Sequence, residues 1–245
     1  MNMPAAENIS TENQNIYDSL QSSDAPGRLI LRLRFSRSGP AVWLAHLDLM
    51  RTFERAVKRA DLPVQWSGGY NPRPDLVFAL PIGVGLETCA DYVDIGLLPE
   101  ADINADSLAE RLRASLPGGI AILAAQLRPV ERISIMARII CADYLLEAPG
   151  LAAAAEKALE LAELVVDKPS KGKTRRLNIR PLILQVMLDS PDSVRLRVKA
   201  GSSENLRPDL FLAALTEYGS LDATAAADAR LIRTGLYLKS DEEAN

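Results

Sequence analysis

From Leu29 the chain alternates between apolar and other positions. Leu29, Leu31, Leu33 and Phe35 are apolar, with Ile30, Arg32, Arg34 and Ser36 between them. A period of two predicts a β-strand with one face in the core and the arginines on its open face. Ser38-Gly39-Pro40 interrupts it. Over 46–60 the spacing changes to three and four. Leu47, Leu49, Met50, Phe53, Ala56, Val57 and Ala60 recur, and Arg51, Arg55, Lys58 and Arg59 fall on the other side. That predicts an amphipathic helix, ended by Pro63. Residues 64–67 read as a short strand. The run 68–74, Gly-Gly-Tyr-Asn-Pro-Arg-Pro, holds too many breakers for regular structure and predicts a stiff, shaped loop. Residues 76–80 and 92–97 read as strands joined through Pro81-Ile82-Gly83-Val84-Gly85. A helix over 105–115 and a strand over 120–127 follow.

The second half reads the same way. A strand over 137–147 precedes an Ala/Leu/Glu helix over 151–164. Strands over 177–188 and 194–199 flank the turn Ser190-Pro191-Asp192, then come a helix over 208–218 and a strand over 229–239. The order βαββαβ thus occurs twice, without residue-level similarity between the halves. The predicted fold class is α+β: two tandem ferredoxin-like (βαββαβ) units with antiparallel sheets, over 28–130 and 137–240. Residues 1–27, rich in Asn, Ser, Gln and Glu and without periodicity, are expected to be a disordered tail.

Composition narrows the chemistry. The 245 residues carry 28 Lys and Arg against 32 Asp and Glu, a net charge of −4. The acids are uneven: residues 1–27 hold Glu7, Glu12, Asp18 and Asp24 and no base, and Asp241, Glu242 and Glu243 stand at the end. Residues 28–75 instead hold nine bases against four acids. A second basic run is Lys168, Lys171, Lys173, Arg175, Arg176 and Arg180. Such runs are either solvated surface or the footprint of a polyanion. Two cysteines, Cys89 and Cys141, are too few for a Cys-rich zinc site or an iron–sulfur cluster held by this chain. Reduced thiols in a cytoplasmic protein are the expectation. With one histidine, His46, and no phosphate-binding glycine loop, no metal and no cofactor are expected in this chain. No apolar run approaches the roughly 18–20 residues that span a bilayer, so no membrane partner is expected. The N-terminus lacks the basic and apolar regions of a secretory signal.

The densest chemistry lies in 28–95. Arg32, Arg34, Arg51, Arg55 and Arg73 supply cations, Trp66 and Tyr70 supply aromatic faces, and Asn71 adds a polar loop group. A ferredoxin-like sheet with arginines and aromatics holds single-stranded RNA by stacking and phosphate contact. At least three of the five arginines are expected to border one groove containing Tyr70 or Trp66. Trp43 and Trp66 read equally as core or rim packing. His46, at the start of the first helix, reads as a structural hydrogen-bonding residue; as a catalyst it would need a partner, and the local acids are Asp48 and Glu54.

Residues 39–95 read GPAVWLAHLDLMRTFERAVKRADLPVQWSGGYNPRPDLVFALPIGVGLETCADYVDI. This stretch resembles the signature of the radical-SAM-linked family, a domain of unknown function, in which GPxxxLSHLDLMRxFxRAxRRAxLPxxxSxGFNPHPxxxFAxPLPxGxxSxxEYxDI recurs. Weaker agreement extends over 29–238 through KTRRLNIRPLI and GSSENLRPDLFLAAL. In such relatives the domain stands beside, or is fused to, a radical SAM protein, often with a cobalamin-binding segment. The resemblance implies a free-standing accessory protein whose partner is a radical SAM protein. The chain departs from the pattern at Ala45, where the family has Ser, at Arg73, where it has His, and at Asp91, where it has Glu. Arg73 keeps an anion-binding group in the loop and removes a proton-transfer group. The expected function is a non-catalytic binding protein that presents RNA or a ribonucleoprotein to that enzyme. The alternatives are a metal-independent RNA-processing enzyme using His46 and a pure protein-interaction subunit.

Overall fold

The computed structural model describes residues 28–99, 103–170 and 173–239. The expected tail over 1–27 lies outside the described residues. In chain order the first half runs β1 (Leu29–Arg37), α1 (His46–Arg59), β2 (Leu76–Phe78), β3 (Glu87–Gly96), α2 (Ala105–Arg113) and β4 (Ile120–Pro129). The second half runs α3 (Ile135–Arg138), β5 (Ile139–Glu147), α4 (Leu151–Leu159), β6 (Val165–Ser170) and β7 (Lys173–Asn178). It continues through β8 (Ile183–Ser190), β9 (Ser193–Lys199), α5 (Pro208–Tyr218), α6 (Ala223–Ala227) and β10 (Arg230–Leu238).

The fold is α+β, built on one mostly antiparallel eight-stranded sheet. Its order is β4-β1-β3-β10-β5-β9-β8, and β2 pairs with β3 beside that path. The pairings β1–β3, β1–β4, β2–β3, β5–β9, β8–β9 and β10–β5 are all antiparallel. The halves meet where β10 runs parallel to β3, with Ile232 opposite Glu87 and Arg233 opposite Thr88.

One face of β1 builds the first core. Leu31, Leu33 and Phe35 are fully buried. Phe35 meets Phe53 of α1 and Phe78 of β2 at ring-centroid distances of 5.1 and 6.0 Å. α1 buries Leu49, Phe53, Ala56 and Val57, the i, i+4, i+7, i+8 stripe of its sequence. Burial of each such Leu or Phe contributes about 1.5–3 kcal/mol. In the second half α4 packs against α5, and α5 reaches the hairpin β6–β7, where the Tyr218 hydroxyl donates to the Val165 carbonyl at 2.9 Å.

Several expectations change. Residues 64–67 form only isolated bridges, Val64 with Leu97 and Trp66 with Pro74. A helical turn, α3, precedes β5 because the Ser134 side chain accepts from the Ala137 amide. The expected helix over 151–164 stops at Leu159. The second basic run falls on the hairpin β6–β7, a separate two-stranded sheet, except for Arg180 in the following 3-10 turn; its Lys171 lies outside the described residues. Leu47, expected inward, is 64% exposed.

Candidate functional site

On the outer side of α1, positions four apart align: Leu47, Arg51 and Arg55, with Trp43 one step earlier in the 3-10 turn Gly39–Trp43. Trp43 is 71% exposed. The Arg51 guanidinium donates to Asp48 at 3.3 Å, an exposed pair that holds it weakly. Arg55 is exposed on the next turn.

The 67–73 loop stands beside this ridge. The Trp66–Pro74 bridge closes it, the Ser67 amide donates to the Arg73 carbonyl at 2.7 Å, and the Arg73 amide donates to Ser67 Oγ at 3.0 Å. Gly69 takes φ +102°, which a side chain would resist. Tyr70 stands fully in solvent, and Asn71 beside it is exposed. Arg73 Nη1 lies 3.9 Å from Glu54 Oε1 and ties the loop to α1. Between them lies an open cleft of about 530 Å³, lined by Met50, Glu54, Trp66, Arg73 and Asp75 among others. Burial raises the Asp75 carboxyl above the usual range; Arg28 opposes this shift and Asp94 adds to it.

Arg32 and Arg34 do not join this surface. They project from the face of β1 opposite Phe35. Register places Arg32 directly across from Asp94 of β3, and the guanidinium grips that carboxylate through two bonds of 2.7 and 2.8 Å. Glu131 approaches at 3.5 Å, and Arg32 is only 8% exposed. The expectation of an open arginine face is corrected here: the neighbouring strand's carboxylate covers Arg32. Arg34 is half-buried and donates from Nε to the Cys89 carbonyl at 3.1 Å. Of the five arginines only Arg73 lines the Trp66 cleft; Arg51 and Arg55 flank it along α1, and Tyr70 stands outside it.

His46 belongs to a different place. Its ring lies edge-on to Phe78 at 5.7 Å, and its Nδ1 is buried without a partner. Burial lowers its pKa, Asp91 opposes that shift and Arg37 adds to it. Asp91, Arg37 and Arg233 complete this cluster on the helix-covered side. Arg37, fully buried, donates to the carbonyls of Leu44, Gly83 and Leu86 at 3.0, 2.5 and 2.7 Å. Arg233, 2% exposed, donates to Asp91 at 2.6 Å and to the carbonyls of Leu80 and Pro81. Asp48 and Glu54, the acids considered for His46, are instead engaged with Arg51 and Arg73.

Comparison with protein-family models matches residues 30–208 to DUF2344, an uncharacterized protein conserved in bacteria. The chain belongs to this family. No curated protein matches it. The matched region contains the α1 ridge, the 67–73 loop, Arg37, His46 and Asp91, and it ends at Pro208. Arg233 lies beyond it.

The residue pattern of the chain does not single out Arg37 or Arg233 as site residues. A signal for Arg37 was present: it continues the 31, 33, 35 phase that points into the core. Among the described residues no group of three or more His, Cys, Asp or Glu is placed to hold a metal ion. No helix of the described residues is long and apolar enough to cross a membrane. Cys89 and Cys141 are both unpaired and half-buried.

Proposed function

We propose that this chain is a non-catalytic, cytoplasmic binding protein that works beside a radical SAM enzyme and offers it an RNA or ribonucleoprotein substrate. The enzyme partner follows from the resemblance of residues 39–95. The RNA reading rests on one observation: the 3-10 turn before α1, the Trp66 bridge and the 67–73 loop expose Trp43, Trp66 and Tyr70 on the side of the molecule that carries Arg51, Arg55 and Arg73. Aromatic faces for stacking and cations for phosphates, carried on a helix and a stiffened loop, suit a single strand. We also infer two ferredoxin-like units, over 28–130 and 137–240. The strand orders β4-β1-β3-β2 and β10-β5-β9-β8 support this, since each follows the same antiparallel path with a helix after its first and third strands.

Binding of a short single-stranded RNA, followed by fluorescence anisotropy against salt, tests the reading. With three or four cations engaged, log affinity should fall with log salt at a slope of about −2 to −3. Arg73→Ala should reduce the slope by about 0.7, one phosphate's share. Absence of binding at low salt would overturn the RNA reading. A second reading, a pure protein-interaction subunit, is favoured by the apolar part of the same surface. Trp43, Leu47 and Val84 are all more than half exposed, and a Cβ on Gly85 would lie 3.7 Å from the Trp43 ring. Under that reading Leu47→Glu abolishes co-purification of the partner enzyme and Arg73→Ala does not. RNA cleavage through His46 has less support, because its partnerless Nδ1 is buried and Asp91 is engaged by Arg233.

A further inference from the structure

Three buried side-chain nitrogens among the described residues find no hydrogen-bond partner: Arg37 Nε, His46 Nδ1 and Arg233 Nε. All three belong to the cluster around Asp91. That cluster holds two guanidinium groups against one carboxylate. Asp91 is the one carboxylate that acts on both arginines; Arg37 is otherwise held by the Leu44 and Leu86 carbonyls, and Arg233 by the Leu80 and Pro81 carbonyls and the neutral Tyr144 phenol. An unbalanced buried charge is costly, and a nearby anion relieves it.

The cluster borders a cleft of about 450 Å³ at the junction of the halves. Arg233 lines its floor, with its guanidinium 5.8 Å from the Tyr144 ring centroid. Ile82 and Val84 of the 80–86 loop form one wall together with Leu231 of β10. The start of α5 lines it as well, through Arg207, Pro208 and Asp209. The N-cap of α5 is Arg207, and no side chain caps its first turn. Arg207 itself is half exposed, with its guanidinium held by Asp209 at 2.5 and 3.0 Å. The volume suits a small metabolite.

We propose that this cleft binds a small organic oxyanion, a carboxylate or phosphate monoester, with its charged head between Arg233 and the first turn of α5 and its apolar body against Ile82, Val84 and Leu231. The head supplies the counter-charge that the Arg37–Asp91–Arg233 cluster lacks, and the positive end of α5 adds a smaller attraction, offset in part by the Asp209 carboxylate and by Pro208, which has no N–H to donate. The apolar wall selects for a ligand that carries more than the head group. This site meets the Trp43–Leu47 patch at Val84, but it does not depend on RNA binding at the α1 ridge.

The test uses the full chain and four probes, inorganic phosphate, phenyl phosphate, acetate and benzoate, against sodium chloride of equal ionic strength. Affinity is read by calorimetry and by thermal melting. Phenyl phosphate, benzoate or both should bind at least about tenfold more tightly than the bare anion of the same class. Binding by one class only identifies the head group as phosphate or carboxylate. Arg207→Glu, a surface change at the mouth, should weaken binding about tenfold or more while the ligand-free protein melts as before. Arg233→Met should abolish binding in whatever fraction folds. The proposal is overturned if no probe exceeds the chloride control, or if Arg207→Glu leaves every affinity unchanged.

Discussion

His46 opens α1 at its first helical position, with no hydrogen bond at Nδ1 and a phenyl edge against its ring. Burial, and secondarily Arg37, disfavour the imidazolium, so the folded pKa lies below 6.5 while Asp91 limits the fall. Between the folded pKa and 6.5 the unfolded chain binds more protons than the folded one. The contribution of neutral His46 to stability is therefore complete above about 6.5 and is lost as the pH drops toward the folded value. Urea midpoints at pH 7.5 and 5.5 should show this loss, and His46→Gln should flatten it. An NMR titration midpoint of the imidazole at or above 6.5 would contradict the argument. The sequence reads His46 as a hydrogen-bonding residue at the start of a helix; its Nδ1 instead lies buried without a partner. Nor does the sequence identify Asp91 as its neighbour, because that contact joins α1 to a strand 45 positions away. Arg32 shows the same limit: alternation put it on the face opposite Phe35, but only strand order reveals that Asp94 stands across from it.

Among the elements, α1 combines a strong apolar stripe with a weak start. Ala45 occupies its N-cap with extended backbone, φ −65° and ψ 158°, and no side chain accepts from the first turn. The resembled signature has Ser at this position, a residue whose hydroxyl caps helices from that backbone shape. Ala45→Ser should therefore stabilise the protein by about 1 kcal/mol, read as a higher denaturant midpoint at unchanged m-value. No change in midpoint would mean that the amides of the first turn are already satisfied by other groups. α1 and α5 were legible because their buried positions follow helical spacing: the expected 208–218 is the observed Pro208–Tyr218. The hairpin β6–β7 was not legible. It buries Val166 but exposes Asp167, Pro169, Thr174, Arg175 and Arg176, so no alternation of apolar residues marks it, and its charges read as a basic run. Strand β3 began five residues earlier than expected, because Thr88 and Asp91, polar in sequence, are buried through contacts with β10 and Arg233.

Across the whole molecule, β10 holds the halves together, and it does so with charge. Arg230 reaches Glu87 of β3 at 2.9 and 3.0 Å and Glu147 of β5 at 3.1 Å, in an exposed network. Three residues on, Arg233 engages Asp91 and the carbonyls of Leu80 and Pro81 in the interior. This junction is not legible in the residue pattern, since each half reads as complete and the pairing between β3 and β10 spans two residues of register. The two contacts should differ greatly in effect. Arg230 and its carboxylates lie in water, and Arg230→Ala should cost at most about 1 kcal/mol. Asp91→Asn removes the one carboxylate serving two buried guanidiniums and should cost about 3–5 kcal/mol. A double-mutant cycle over Asp91→Asn and Arg233→Met should give a coupling of about 2 kcal/mol or more, against less than about 1 for Glu87→Gln with Arg230→Ala. If the buried pair carries most of the connection, Asp91→Asn also splits a single unfolding transition into two, as the halves lose their cooperative tie. Equal and small couplings at both sites would show instead that backbone pairing and apolar contact, rather than the buried arginine, unite the two halves.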